Sequence, residues 1–100
     1  MEQKRVYDVE MSTLLGRRRG SLELSICNGL LSGILHLMKA ENPVCGTLGE
    51  NQQCTLSGNI RTRMGNYPFE GEGRMDLEKI DLMLRCAGLN LPLHGIRKEV

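Results

Sequence analysis

Cysteine and histidine are the side chains of this sequence that come closest to forming a catalytic pair. If Leu35 lies opposite Gly46 in two neighbouring strands, His36 faces Cys45. An imidazolium lowers the pKa of a neighbouring thiol, so a Cys–His pair is the minimum requirement for a thiolate nucleophile. No nearby motif supplies an orienting third group or an oxyanion hole. A surface thiol beside a histidine is the favoured interpretation, and an enzyme is the alternative.

Paired carboxylates offer a second kind of chemistry. Glu10 and Glu23 are predicted to face each other across the first hairpin, where they could bind Ca²⁺ or do acid–base work. Like charges directly opposite each other destabilise a sheet, so coverage by an arginine or plain solvation is favoured. His94 is predicted opposite Asp81, which a cross-strand ion pair explains. With two histidines and no C-x-x-C spacing, the sequence predicts no metal site and no cofactor.

A basic cluster offers anion binding as a third possibility. It consists of Arg17, Arg18 and Arg19, which are predicted at the tip of the first hairpin. Guanidinium groups bind phosphate and carboxylate well, so binding of phosphate or nucleic acid through this tip is an alternative function. Nucleic-acid binding on strands usually needs aromatic stacking platforms, and the aromatic residues of this chain are predicted to point inwards. A solvated tip is therefore favoured, and a nucleic-acid partner is not expected.

All of these side chains must be positioned by strands, because apolar and polar residues alternate along most of the chain. In residues 20–37 the alternating segments flank Asn28-Gly29, which predicts a type I′ hairpin with Ile26 opposite Leu31. Phase agreement extends the pattern to the first strand, through a predicted turn at Gly16-Arg17.

The same combination of alternating segments and short turns recurs to the end of the sequence. Further reversals are predicted at Gly65-Asn66 and Ala87-Gly88, with loops over residues 39–43, 49–53 and 76–79. The first of these turns places Arg61 across from Glu70. About eight sequential strands with one apolar face predict an all-β, antiparallel up-and-down meander that closes into a small barrel. An open or two-layer sheet is the alternative.

The inward row of side chains determines whether such a barrel is hollow. It includes Tyr7, Tyr67 and Phe69, together with several glycines, among them Gly33, Gly58 and Gly71. Interior glycines either permit the bends of a curved barrel or leave room for a small ligand. A filled core is favoured, and these residues are the candidate ligand-binding set if a cavity exists.

Outward-facing apolar residues predict an interface. Leu30, Ile34 and Met38 form a row on the third strand, where a solvated face has no need of them. Packing of this row into a homodimer is the simplest account, and burial under the C-terminal tail is the alternative.

Length and charge limit the class of protein. One hundred residues predict a single domain over residues 1–100, and the formal net charge of +1 favours neither a nucleic-acid-binding nor a membrane-surface protein. Four cysteines without recognisable spacing are expected to stay reduced. No apolar leader or membrane-spanning run is visible, so a cytoplasmic location and no membrane partner are predicted.

The pattern G-x-L-x-L followed by N-G-x-L-x-G-x-L, in residues 20–35, resembles small bacterial β-meander barrels of calycin-like architecture. The resemblance implies a fold and transfers no catalytic residue. The predicted function is a small intracellular binding or accessory module for an apolar or anionic small molecule or for a protein partner.

Overall fold

Eight antiparallel strands form a closed barrel in the computed structural model, which describes residues 2–14, 16–37 and 39–98. Their bounds are β1 Gln3–Thr13, β2 Gly16–Cys27, β3 Leu30–Leu37, β4 Ala40–Leu48, β5 Gln53–Thr62, β6 Gly65–Met75, β7 Lys79–Cys86 and β8 Leu89–Arg97. Each strand pairs with the next, and residues 7–11 of β1 pair with residues 93–97 of β8. The predicted up-and-down meander and its closure are confirmed.

Helical structure within the described ranges amounts to one 3-10 turn, Glu50–Gln52, between β4 and β5. No helix in those ranges has the length and apolar character needed to cross a bilayer.

Two hairpins turn where the sequence predicts. The central residues of Asn28-Gly29 and Ala87-Gly88 all have φ between +52° and +78°. Positive φ at both positions is the type I′ geometry, whose twist matches that of the paired strands. The strand register predicted from Asn28-Gly29 is therefore confirmed.

Two other hairpins turn two residues earlier than predicted. Thr13 pairs with Gly16, and Thr62 pairs with Gly65. Both turns have the sequence T-x-x-G, in which glycine closes the turn with φ of +107° and +128°. Each threonine hydroxyl donates to the carbonyl oxygen of its glycine, at 2.7 Å and 3.1 Å. Glycine is favoured at the last position of a type I turn, whereas the predicted turns at Gly16-Arg17 and Gly65-Asn66 make each glycine a central residue.

The error leaves the inward row largely intact because a shift of two residues keeps each side chain on its predicted face. Met11 still points into the barrel, although it lies opposite Arg18, whereas the predicted turn at Gly16-Arg17 would place it opposite Leu22. Met64 is the exception, since it belongs to the β5–β6 turn and is exposed instead of buried.

The predicted loop over residues 39–43 is shorter in the structure. Leu37 pairs with Ala40, so most residues assigned to the loop belong to β4. Leu35 therefore lies opposite Asn42 and not opposite Gly46, which again shifts the register by an even number without changing faces.

Asn42 is a buried amide that connects three strands. Its Nδ2 donates to the carbonyl oxygen of Leu35 in β3 at 3.0 Å, and its Oδ1 accepts from the backbone N–H of Arg61 in β5 at 2.8 Å. Main-chain pairing between β4 and β5 reaches only to Val44, because the next residue, Pro43, has no N–H to donate. The Asn42 side chain continues the contact between these strands beyond the proline.

The barrel interior is occupied by side chains. Tyr7 and Phe69 are buried, and half-buried Tyr67 packs against the same core. A Cβ atom at Gly71 would lie 2.3 Å from Cδ2 of Leu84, so the space beside that glycine is taken. This is the arrangement that the filled-core interpretation expects.

Several glycines allow close approach of neighbouring strands. They are Gly20, Gly33, Gly46 and Gly73, where a Cβ atom would lie 1.8–2.0 Å from a carbonyl oxygen of the adjacent strand. No larger residue fits these positions without a backbone shift, which is how a small, sharply curved barrel uses glycine.

Candidate functional site

The side chain of Arg5 points into one end of the barrel. Residues 7, 9 and 11 of β1 face inwards, and the same alternation points Arg5 inwards at the strand's beginning. Its Nη2 donates to Oε1 of Gln3 at 3.2 Å, while its Nε is shielded from solvent and has no hydrogen-bond acceptor. Among residues 2–14, 16–37 and 39–98, no carboxylate lies at salt-bridge distance from Arg5. A half-buried guanidinium therefore has donor capacity to spare.

A cleft of about 450 Å³ opens beside this guanidinium. We call it the Arg5 cleft; it is lined by Arg5, Leu48, Gly49, Gln52, Met75, Asp76, Leu77 and Glu78. Met75 is buried, and Leu77 remains 46% exposed although it is a large apolar residue. The Arg5 cleft thus has apolar walls beside the charged guanidinium of Arg5.

The β6–β7 turn forms one wall of the Arg5 cleft and is held firmly. Oδ1 of Asp76 accepts from the backbone N–H groups of Lys79 at 2.9 Å and Glu78 at 2.8 Å, and these bonds lower the pKa of Asp76. The Tyr7 hydroxyl donates to the Asp76 carbonyl oxygen at 2.5 Å from inside the barrel. Burial raises the pKa of Tyr7, although the Arg5 guanidinium acts in the opposite direction.

The predicted Cys–His pair is wrong. His36 lies opposite Glu41 and Ser21, because the β3–β4 turn is tighter than expected. Cys45 lies opposite Ser32, which is four residues before His36 on β3, and its Sγ is 3.7 Å from Oγ of Ser57. The structure therefore does not assemble the thiolate nucleophile that these two residues suggested.

The predicted Glu10–Glu23 pair is also wrong, because the β1–β2 turn comes earlier than expected. Glu10 lies opposite Arg19 and forms salt bridges with Arg17 at 3.3 Å and Arg19 at 3.4 Å. Glu23 contacts His36, with 3.2 Å between Oε2 and Nε2. Of the two favoured interpretations, arginine coverage and plain solvation, the salt bridges of Glu10 match the first.

The basic cluster is split by strand alternation. Arg17, Arg18 and Arg19 lie within β2 rather than in the turn, so the first and third bind Glu10 on the outer face while Arg18 points the other way. The predicted contact of Arg61 with Glu70 is absent as well, since Arg61 lies opposite Asn66. Anion binding by the three arginines as one group has no geometric support.

The predicted pairing of His94 with Asp81 is confirmed. The two residues face each other in the β7–β8 hairpin, and Nδ1 of the histidine is hydrogen-bonded to Oδ1 of the aspartate. Glu10 lies opposite His94 on its other side. Among the described residues no three His, Cys, Asp or Glu side chains converge as metal ligands.

The remaining candidate residues, the inward glycines and the outer apolar row, lie on the faces that the alternating pattern predicts. Gly33 and Gly58 lie in the barrel wall beside Leu24 and Phe69, and their positions are filled by neighbouring atoms. Leu30 is exposed on the outer face and Ile34 is half-buried there, while Met38 lies outside the described residues. The dimer hypothesis remains a prediction.

Two of the four thiols should react quickly in the folded protein. Cys27 and Cys45 are exposed, whereas burial raises the pKa of Cys54 to about 11 and also raises that of Cys86. Because the thiolate is the reactive form, we expect two fast equivalents with 5,5′-dithiobis(2-nitrobenzoate) at pH 8 and four after unfolding. Cys45→Ser should remove one fast equivalent. Three or more fast thiols in the folded chain would contradict the burial of the other pair.

Arg5 was missed at the sequence level, although its signal was present. The predicted inward row of the first strand began at Tyr7, and extending the alternation by two residues reaches Arg5. A basic residue on an otherwise apolar row stands out, because a buried charge is costly without a partner.

Comparisons of the chain with protein-family models, with curated proteins and with solved structures give no match.

Proposed function

We propose that this protein is a binding module for a small carboxylate with an apolar tail, held in the Arg5 cleft. The observation that carries the proposal is the half-buried Arg5 guanidinium, which has an unfilled donor and no carboxylate partner among the described residues. Arginine recognises carboxylates through two parallel hydrogen bonds, so a ligand carboxylate suits this group.

The walls of the Arg5 cleft indicate the rest of the ligand. Leu48 and Leu77 offer apolar surface beside the cation, and 450 Å³ is within the range of small-molecule sites. Because core side chains fill the barrel interior, the tail lies along the cleft and does not enter the barrel. An unbranched chain of about eight carbons is small enough for a cleft of this volume.

Asp76 sets the strength of binding. Its carboxylate and the Arg5 guanidinium influence each other electrostatically, so a ligand carboxylate is repelled by Asp76 while it is attracted by Arg5. The bonds from Lys79 and Glu78 hold the Asp76 side chain in the turn. The site is therefore suited to a ligand that binds and exchanges readily.

Titration of the protein with octanoate, followed by NMR chemical shifts, tests the proposal. We expect a dissociation constant of about 1 mM, from roughly 0.4 kcal/mol for each heavy atom of octanoate. Arg5→Gln should weaken binding about tenfold or more, because a charged hydrogen bond is lost. Asp76→Asn keeps the acceptor oxygen of the turn and removes the repulsion, so it should strengthen binding a few-fold.

The controls separate charge from general apolar binding. Octanol has the same tail without the carboxylate and should bind at least about tenfold more weakly. Arg61→Gln removes an exposed cation at the other end of the barrel and should leave octanoate binding unchanged. Equal binding of octanol and octanoate, or unchanged octanoate binding in Arg5→Gln with an unaltered melting temperature, would overturn the proposal.

A further inference from the structure

Four turns gather at the end of the barrel opposite the Arg5 cleft. Consecutive strands run in opposite directions, so the β1–β2, β3–β4, β5–β6 and β7–β8 turns share one end. We call this the tip end and define it by the first three strand pairs of each of these hairpins together with the turn residues. The pairs next to the turns are Thr13 and Gly16, Leu37 and Ala40, Thr62 and Gly65, and Cys86 and Leu89.

Large apolar side chains are exposed at the tip end. Leu14 is 82% exposed, Met64 is 87% exposed and Leu89 is 40% exposed. Turn positions of this kind usually carry Gly, Asn, Asp, Ser or Pro, whose backbone preferences or side-chain hydrogen bonds suit them. Leu14 and Met64 are too exposed to contribute to the core, so both side chains are accessible to a partner.

Charge is segregated along the barrel. The tip end carries six cations and one carboxylate; these are Arg17, Arg18, Lys39, Arg61, Arg63 and Arg85, with Glu41. The rest of the chain has the other seven of thirteen Lys and Arg and eleven of twelve Asp and Glu. The tip end thus has a formal charge of +5 and the remainder −4, which together give the net charge of +1.

Most of the tip-end cations are available to a partner. Within the described part of the chain, four have no carboxylate at salt-bridge distance: Arg18, Lys39, Arg61 and Arg63. Arg17 is bound to Glu10, and Arg85 to Glu72 at 3.4 Å.

We infer that the tip end docks on the surface of an anionic lipid bilayer. Leu14 and Met64 would enter the headgroup–acyl boundary, where apolar side chains are stabilised, and the free cations would contact lipid phosphates. A bilayer surface satisfies both features of the tip end at once, because it offers negative charge above an apolar layer. Peripheral docking needs no membrane-spanning segment.

Nucleic acid shares the negative charge but does not explain the apolar tips. Base stacking needs exposed aromatic rings, whereas Tyr7 and Phe69 are buried and Tyr67 is half-buried in the core. Phosphate backbones offer Leu14 and Met64 no apolar environment. The observations therefore favour a lipid surface over a nucleic acid.

Co-sedimentation with large unilamellar vesicles tests the inference. We expect binding to phosphatidylcholine vesicles with 30% phosphatidylglycerol at 50 mM salt, little binding to pure phosphatidylcholine, and a marked loss at 500 mM salt. The double variant Leu14→Ser, Met64→Ser should reduce the partition coefficient about tenfold or more. The triple variant Lys39→Gln, Arg61→Gln, Arg63→Gln should reduce it at least about tenfold.

Matched substitutions away from the tip end provide the controls. Ile96→Ser removes an exposed apolar side chain near the end of β8, and Lys4→Gln with Lys79→Gln removes two cations there. Both should leave vesicle binding within about twofold of the parent, because neither changes the docking surface. Circular dichroism establishes that each variant folds.

Three results would overturn the inference. They are equal binding to neutral and anionic vesicles, unchanged binding by both tip-end variants, and retention on a DNA oligonucleotide without binding to vesicles. The octanoate titration reports on the opposite end of the barrel, so failure at one site is distinguishable from failure at the other.

Discussion

We expect Gly46→Ala to lower the free energy of unfolding by about 3 kcal/mol, at the upper end of the cost of overpacking. The added Cβ would lie 1.8 Å from the carbonyl oxygen of Thr55 and 2.9 Å from Cα of Leu56. Backbone atoms of a paired strand cannot rotate aside, so the two strands must separate. The melting temperature should fall by about 15 °C, measured by circular dichroism.

Gly49→Ala is the matched control for this substitution. Gly49 lies just after the end of β4, and a Cβ atom there would have only the carbonyl oxygen of Gln53 nearby, at 3.8 Å. That is an ordinary contact, so the free energy of unfolding should change by less than about 0.5 kcal/mol. Similar melting temperatures for the two variants would show that the strands at Gly46 are farther apart than described.

We expect Asn42→Leu to lower the free energy of unfolding by about 2–3 kcal/mol, although leucine has a similar size. The substitution leaves the backbone N–H of Arg61 and the carbonyl oxygen of Leu35 without their partner, and each buried unpaired group costs about 1–3 kcal/mol. Added apolar burial offsets part of that cost. Urea unfolding measures the difference.

Asn59→Leu makes the same chemical change at an exposed position of β5 and should alter stability by less than about 0.5 kcal/mol. Asn42→Asp gives a second test, because burial raises the pKa of a carboxyl group. Its stability relative to the parent should be greatest at low pH and fall as pH rises through that pKa. A pH-independent difference would contradict the burial of this side chain.

The side-chain pattern predicts the faces of the strands well but predicts their pairing less well. Alternation with a period of two determines which residues point inwards, and any even shift preserves it. Met11 and Leu22 are both buried as expected, even though they are not partners. Pairs such as His36 with Cys45 depend on the register itself, so a turn misplaced by two residues separates them.

Turn chemistry explains why the register was missed. Glycine has more than one role in a turn, and the sequence T-x-x-G does not by itself show whether Gly16 opens or closes the reversal. Asn28-Gly29 leaves less choice, since two successive residues there suit positive φ. Asn42 and Pro43 are residue types that are common in loops, and the sequence therefore predicts a loop there. In the structure Asn42 lies in the core, because its hydrogen-bonding groups are paired.

The net charge of the chain does not show how its charges are distributed over the barrel. A sum of +1 is compatible with an even distribution, and only the alternation of turns between the two ends of the barrel reveals the separation of charge. Lys39, Arg61 and Arg63 are far apart along the chain from Arg18, and the barrel brings them to one end. Composition cannot carry this information.

The closing contact between β1 and β8 also sets the order of folding. Seven of the eight strand pairings join neighbours in sequence, whereas the eighth pairs Tyr7 with Arg97, 90 positions later in the chain. The entropy of bringing such distant segments together must be overcome before their contacts stabilise the chain. We therefore expect this contact to form late in folding. Because β1 carries Arg5, we expect any separation of β1 from β8 to disturb the Arg5 cleft as well.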